Sequence, residues 1–138
     1  MTITLPKHKT ASFDVDAQKG FTPICPDELP VDEGHLIGPQ LNLNNDMARL
    51  RIGSKDAHPF DAVWNANDDD KPALTPMKES HRNVDIYWPS HCVGGTTGCE
   101  LLNELPHPQD YDFFVCSRVG PDMQPYGAFY HELHNKMS

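Results

Sequence analysis

The chain has 138 residues, one domain's worth, and its 20 acidic residues against 11 basic ones give a formal charge of −9. That balance leaves no basic footprint for nucleic acid or an anionic membrane surface. Thirteen prolines, against a usual share of about 5%, and a hydrophobic fraction of 38% argue against a helix bundle and for long extended connections around a modest core.

No apolar stretch approaches the ~20 residues of a membrane span, and Met1 to Lys9 lacks the apolar core of a signal peptide. Cys25, Cys92, Cys99 and Cys116 are therefore expected as reduced thiols in a cytoplasmic protein. Without a Cys-x-x-Cys pair they point neither to a zinc ribbon nor to a thioredoxin-type site.

In chain order, Ala11 to Asp16 predicts a short strand with Phe13 and Val15 on one face. Lys19 to Glu33, with three prolines and a glycine, predicts a loop. His35 to Met47 admits a helix through Ile37, Leu41 and Leu43, with Gly38-Pro39 at its start. Arg49-Leu50-Arg51-Ile52 alternates and predicts a second strand, whose outward arginines imply a wet face or a sheet edge. Lys55 to Ser90 is a long, proline-punctuated connection with Asp68-Asp69-Asp70 as a solvated turn; such a connection is usually functional or disordered.

Gly94 to Gly98 then leads into Cys99-Glu100-Leu101-Leu102, a predicted helix start with Thr97 and Glu100 at capping-box spacing. The glycine cluster lacks the Gly-Lys-Ser/Thr ending of a phosphate loop. Phe113-Phe114-Val115-Cys116 predicts a third strand, apolar throughout and hence buried on both faces. Gly127 to Met137 reads as the opening of a helix. Strands separated by long crossovers predict a parallel α/β sheet. Ligands of such sheets bind beyond the carboxyl ends of the strands, where Asp16, Asp56, His58 and Ser117 fall.

Asp16, just past the first strand, has the placement of a general base, or of an aspartate that caps a loop. Asp56, His58 and His91 offer the oxygen and imidazole donors that suit Zn²⁺, Mn²⁺ or Fe²⁺, although an isolated histidine is more often simply hydrogen-bonded. Phe21, Trp64 and Trp88 are either an aromatic slot for a flat ring or core.

Four segments carry a resemblance. They are Phe-Asp-Val-Asp16-Ala-Gln-Lys-Gly-Phe21, Gly-Ser-Lys-Asp56-Ala-His58-Pro, Trp88-Pro-Ser-His91-Cys-Val-Gly-Gly-Thr-Thr-Gly-Cys-Glu-Leu, and Pro121-Asp-Met-Gln-Pro-Tyr126-Gly-Ala-Phe129. In this order they resemble the nicotinamidase/isochorismatase-like cysteine hydrolases. The resemblance implies a three-layer α/β/α, Rossmann-like fold with a parallel sheet. It implies amide hydrolysis, as of nicotinamide to nicotinate and ammonia, in which a cysteine thiolate attacks, an aspartate relays the proton and a lysine assists. A divalent metal orients the ring of the small aromatic amide. Carried over, Asp16 matches the catalytic aspartate. Asp56, His58 and His91 match metal ligands, and Phe21, Trp88 and Tyr126 match residues that line the ring pocket.

The departures are equally specific. Ala62 stands where many relatives have a further metal-ligand histidine, and Ser117 stands at the lysine position. Arg118 comes next, but strand alternation aims it elsewhere. The family nucleophile lies beyond the position at which this sequence ends. On that reading residues 1–138 are a single, C-terminally truncated domain, inactive as this chain alone and retaining a metal- and ring-binding half-site. The other readings are an amidohydrolase whose cysteine comes from another chain, and an inactive gene fragment. An exposed apolar edge on the first strand would favour a homo-oligomer or a complementing chain.

Overall fold

The computed structural model describes residues 4–67, 69–81, 84–122 and 127. Three parallel strands form the main sheet: β1 (Ala11–Val15), β2 (Leu50–Asp56) and, from the far end of the chain, β5 (Phe113–Ser117), in the order β1-β2-β5. Their register sets Val15 against Ser54 and Asp56 against Ser117, so the carboxyl ends of the three strands finish side by side. The backbone of Asp16 donates to Ser54 O (3.1 Å) and that of Ala57 to Ser117 O (3.1 Å), carrying the pairing one step past the strands.

The crossover from β1 to β2 passes through short 3-10 turns at Lys19–Phe21 and Gly34–Leu36 and then α1 (Gly38–Asp46), which starts at Gly38-Pro39 as the sequence predicts. Proline fits there because the first helical turn has no use for its missing N–H. The helix buries little: Leu41 packs against the small cluster of Ala17, Leu102 and Leu105, while Leu43 faces solvent.

Four expectations need correction. The second strand is not at an edge, and of its two arginines only Arg49, just before the strand, is exposed; β2 is central in the three-stranded sheet, and Arg51 is buried because Asp14 of β1 meets its guanidinium at 2.6 Å. The third strand is not buried on both faces: Phe113 is 61% and Val115 43% exposed, since β5 is an edge strand of this sheet. Val15 of β1 is also exposed, so the predicted Phe13/Val15 face is not a covered one. No helix starts at Cys99. Thr97–Cys99 makes a single 3-10 turn and Glu100 is already extended, because Leu101 bridges to Gln18 and the Glu100 carboxylate pairs with Lys19 at 2.6 Å instead of capping.

The long connection contains structure that periodicity did not reveal. β3 (Pro76–His81) and β4 (Val84–Ile86) pair antiparallel, and Val84 joins Ala62 and the fully buried Trp64 in a second small core with Met77 and Trp88 alongside. Within the predicted acidic turn, the Asn67 side-chain oxygen accepts from the backbone N–H groups of Asp69, Asp70 and Lys71. Gly53 is required by close approach: a Cβ there would lie 2.6 Å from the Phe114 ring and 2.8 Å from that of Tyr111. The predicted helix from Gly127 to Met137 lies outside the described residues, apart from Gly127.

Candidate functional site

Asp56 is the last residue of β2, and His58 follows two positions later. His91 is brought beside them by a parallel bridge. His58 N donates to Cys92 O (3.1 Å) and Gly94 N to His58 O (2.9 Å), splicing the segment after Trp88 onto the end of β2. All three side chains are buried, and one ligand atom from each lies within 4.8 Å of the others.

Both imidazoles are oriented from behind. His58 Nδ1 lies 3.2 Å from the carbonyl of Arg118, and His91 Nδ1 lies 2.6 Å from that of Pro89. A carbonyl can only accept, so each Nδ1 carries a proton and Nε2 is the atom left to bind a metal when the ring is neutral. His58 Nε2 faces Asp56 Oδ2 at 3.3 Å, within ion-pair distance when the ring is protonated. Burial holds His91 down at about 4, against an ordinary value of 6.5, so it stays neutral near pH 7. Two imidazoles and a carboxylate suit a divalent metal such as zinc. Bound there, the ion would supply Lewis acidity and a fixed point for a ligand's donor atom.

Aromatic rings wall the imidazoles in. Trp64 meets His58 edge-on (centroids 4.5 Å apart) and lies 5.8 Å from His91, and the two imidazoles are 4.7 Å apart. Trp64 is therefore core, while Phe21 and Trp88 flank His91 from the open side at 5.5 and 6.4 Å. These two line a cavity of about 310 Å³ together with Asp16, Leu29, Asp56, His91 and Arg118. Ala62, at the place of a further ligand, packs against Trp64 in the core. Tyr126 lies outside the described residues.

Asp16 sits at the cavity with a left-handed backbone (φ 49°), and Ser54 Oγ donates to its Oδ1 at 2.7 Å. Two further residues lining or flanking the site share that conformation, Cys92 (φ 47°) and Arg118 (φ 62°). Such geometry costs non-glycine residues free energy, and its clustering marks a place where the backbone is bent to aim side chains.

Two residues were missed or misplaced by sequence reasoning. Gln18 is fully buried and acts as a strand partner for Asp56: Nε2 donates to Asp56 O (2.8 Å) and Oε1 accepts from Asp56 N (2.7 Å). Strand alternation aimed Arg118 away, but β5 ends at Ser117 and the left-handed turn at Arg118 swings the guanidinium into the cavity. There its Nη1 lies 3.1 Å from Asp16 Oδ2 and in closer contact with Asp56 Oδ1. Ser117 places its Oγ 3.4 Å from Asp56 Oδ1.

All four cysteines are free thiols, and none of them lines the cavity. Cys116 is exposed on the side of β5 opposite Ser117. The Cys99 thiol donates to Asp56 O (3.3 Å). Burial, aided by the nearby Glu28 carboxylate, pushes the Cys92 thiol far above the usual thiol range; Glu28 Oε2 also accepts from the Cys92 backbone N–H (2.8 Å).

No protein-family model matches the sequence, and no curated protein matches it at a significant level. Solved structures do match. A nicotinamidase/pyrazinamidase of Acinetobacter baumanii superimposes with a TM-score of 0.78 at 24% identity, covering 98% of this chain and 63% of that one. The Pyrococcus horikoshii pyrazinamidase, solved in complex with zinc, gives 0.61 at 25% identity over 92% of this chain and 60% of its own. The yeast nicotinamidase bound to the inhibitor nicotinaldehyde gives 0.68 at 24% identity over 91% and 63%. This chain thus spans less than two thirds of the length of each of these three structures. Its open, parallel α/β architecture is the fold of these solved structures.

Proposed function

We propose that this chain is a nicotinamidase-like hydrolase homologue that holds a divalent metal through Asp56, His58 and His91 and a small aromatic amide, such as nicotinamide, between Phe21 and Trp88. One observation carries the reading: Asp56 and His91 of the Asp/His/His cluster line a cavity that also contains Asp16 and two aromatic walls, with His58 buried directly behind them. Nε2 lone pairs and one carboxylate are a metal's donors, and flat apolar walls are a ring's. In this reading Asp16 is the acid–base residue of amide hydrolysis, and Arg118 supplies the positive charge beside it. Tyr126 is assigned to the ring pocket on the resemblance alone.

The same reading makes the chain inactive on its own. A thiolate nucleophile must reach the amide carbon, and the four thiols are exposed on another face, buried against backbone or outside the cavity lining. The chain then acts as a ligand-holding, interacting subunit. The second reading, in which another polypeptide supplies the nucleophile to an active amidohydrolase, is favoured by the exposed apolar residues Val15, Phe113 and Val115 on the sheet beside the site.

Calorimetric titration of the purified chain with nicotinamide, with and without Zn²⁺, and an ammonia-release assay test both. Metal-dependent binding without ammonia supports the first reading, whereas ammonia release lost in Asp16→Ala supports the second. Absence of binding to both Zn²⁺ and nicotinamide would overturn the two together.

A further inference from the structure

Asp56 faces two ways. Its Oδ2 points to His58 Nε2 at 3.3 Å, while its Oδ1 is in close contact with Arg118 Nη1. The same Nη1 lies 3.1 Å from Asp16 Oδ2 and 3.2 Å from Ser117 Oγ. The guanidinium is largely buried, with a side-chain exposure of 11%, and an arginine keeps its charge at any working pH. One permanent cation is therefore shared by the two carboxylates of the cavity. Its backbone carbonyl at the same time fixes the tautomer of His58.

We propose that Arg118 is a positioning residue that ties Asp16 to Asp56 and competes with the divalent cation for the Asp56 carboxylate. This rests on the metal-site reading above and goes beyond it, because it assigns the site a built-in rival for its metal. A carboxylate already neutralised by a buried guanidinium attracts a second cation less, and two cations at one carboxylate repel each other in a poorly solvated site. Without Arg118, Asp16 and Asp56 would face each other as like charges, which a bound divalent cation would relieve. The histidine orientation is unaffected by a change of side chain, since it depends on the Arg118 carbonyl.

The test is Zn²⁺ affinity of the whole chain, measured by competition with a chromophoric chelator, for Arg118→Met and Arg118→Lys beside the unmodified protein. Circular dichroism establishes that each is folded. Arg118→Met is expected to bind Zn²⁺ about tenfold more tightly or better, because the rival charge at the Asp56 carboxylate is gone. Arg118→Lys, which keeps a point charge on a shorter reach, is expected to gain less. In the unmodified chain the ¹⁵Nε resonance of Arg118, assigned by its loss in Arg118→Lys, is expected to shift as Zn²⁺ displaces the guanidinium from Asp56. A folded Arg118→Met with equal or weaker Zn²⁺ affinity overturns the proposal while leaving the metal site standing. If Arg118→Met does not fold, the resonance decides: movement on Zn²⁺ binding supports competition, and a fixed resonance with Zn²⁺ bound overturns it. Absence of Zn²⁺ binding to unmodified chain and variants alike overturns the metal site and this inference together.

Discussion

Replacing Asp14 by asparagine should be among the most damaging single-residue changes in the sheet that carries the site. Asp14 Oδ2 accepts from Arg51 Nε at 2.8 Å and from the Tyr111 hydroxyl at 2.9 Å, and forms an ion pair with Arg51 Nη2 at 2.6 Å. The side chains of Arg51 and Asp14 are only 9% and 3% exposed, and the guanidinium also lies over the Tyr111 ring, 5.0 Å from its centroid. Asp14→Asn keeps the shape but strands the Arg51 charge out of water, a change that costs about 3–5 kcal/mol. With a urea m-value of roughly 2 kcal/mol/M, that lowers the denaturation midpoint by about 2 M. Tyr111→Phe removes one neutral donor and leaves the ion pair, so it should cost about 1–2 kcal/mol. The double variant Asp14→Leu/Arg51→Met removes both charges and should recover most of the loss. The transition is followed by fluorescence of Trp64 and Trp88. An Asp14→Asn midpoint within about 0.5 M of the unmodified chain, or a double variant no better than the single one, would refute the reasoning.

Three further outcomes are expected. His91 is held down at about 4 by burial, while an unfolded histidine titrates near 6.5, so its contribution is complete above pH 6.5 and is lost as pH falls toward 4. The metal-free chain should lose up to about 3 kcal/mol over that window, and thermal melts of His91→Gln should show a flatter pH dependence. Gln18→Ala frees the main-chain N–H and C=O of Asp56 and should cost about 1–3 kcal/mol in a urea melt; Zn²⁺ affinity should fall about tenfold. Finally, a chromogenic disulfide reagent should modify the exposed Cys116 first. Cys92, buried and with its thiol pushed up, should react only on unfolding, as mass spectrometry of the labelled peptides would show.

The parallel strands were legible because their apolar or alternating runs are separated by crossovers too long for hairpins, and parallel register then puts Asp16 and Asp56 at one end of the sheet. His91 was legible only as a donor of the right type, since nothing local says that the chain after Trp88 will bridge back to His58. The failures share a cause. Arg51 reads as an outward residue because its partner, Asp14, lies on another strand, and periodicity registers polarity without registering pairing. Gln18 looks like any loop glutamine until its amide is found taking the place of a neighbouring strand beside Asp56. Arg118 defeats alternation because the strand ends at Ser117 and Arg118's own positive φ turns its side chain out of the strand pattern. The β3–β4 pair has little apolar patterning to announce it, its anchor being Val84 against a tryptophan elsewhere in the chain.

The three left-handed residues around the cavity have a consequence for any effort to improve the protein by selection. Asn and Gly adopt this backbone more readily than Asp, Cys or Arg, so substitutions to them at residues 16, 92 and 118 would relax the fold, Gly adding some unfolded-state entropy in return. At Asp16 and Arg118 the same substitutions erase the carboxylate and the guanidinium that give the cavity its charge. There the backbone gain is outweighed by breaking the buried pairs between Arg118 and the two carboxylates, so a screen for thermal endurance alone would drift first at Cys92. Cys92, whose thiol stays out of the cavity lining, is the one of the three where hardiness and chemistry do not pull in opposite directions.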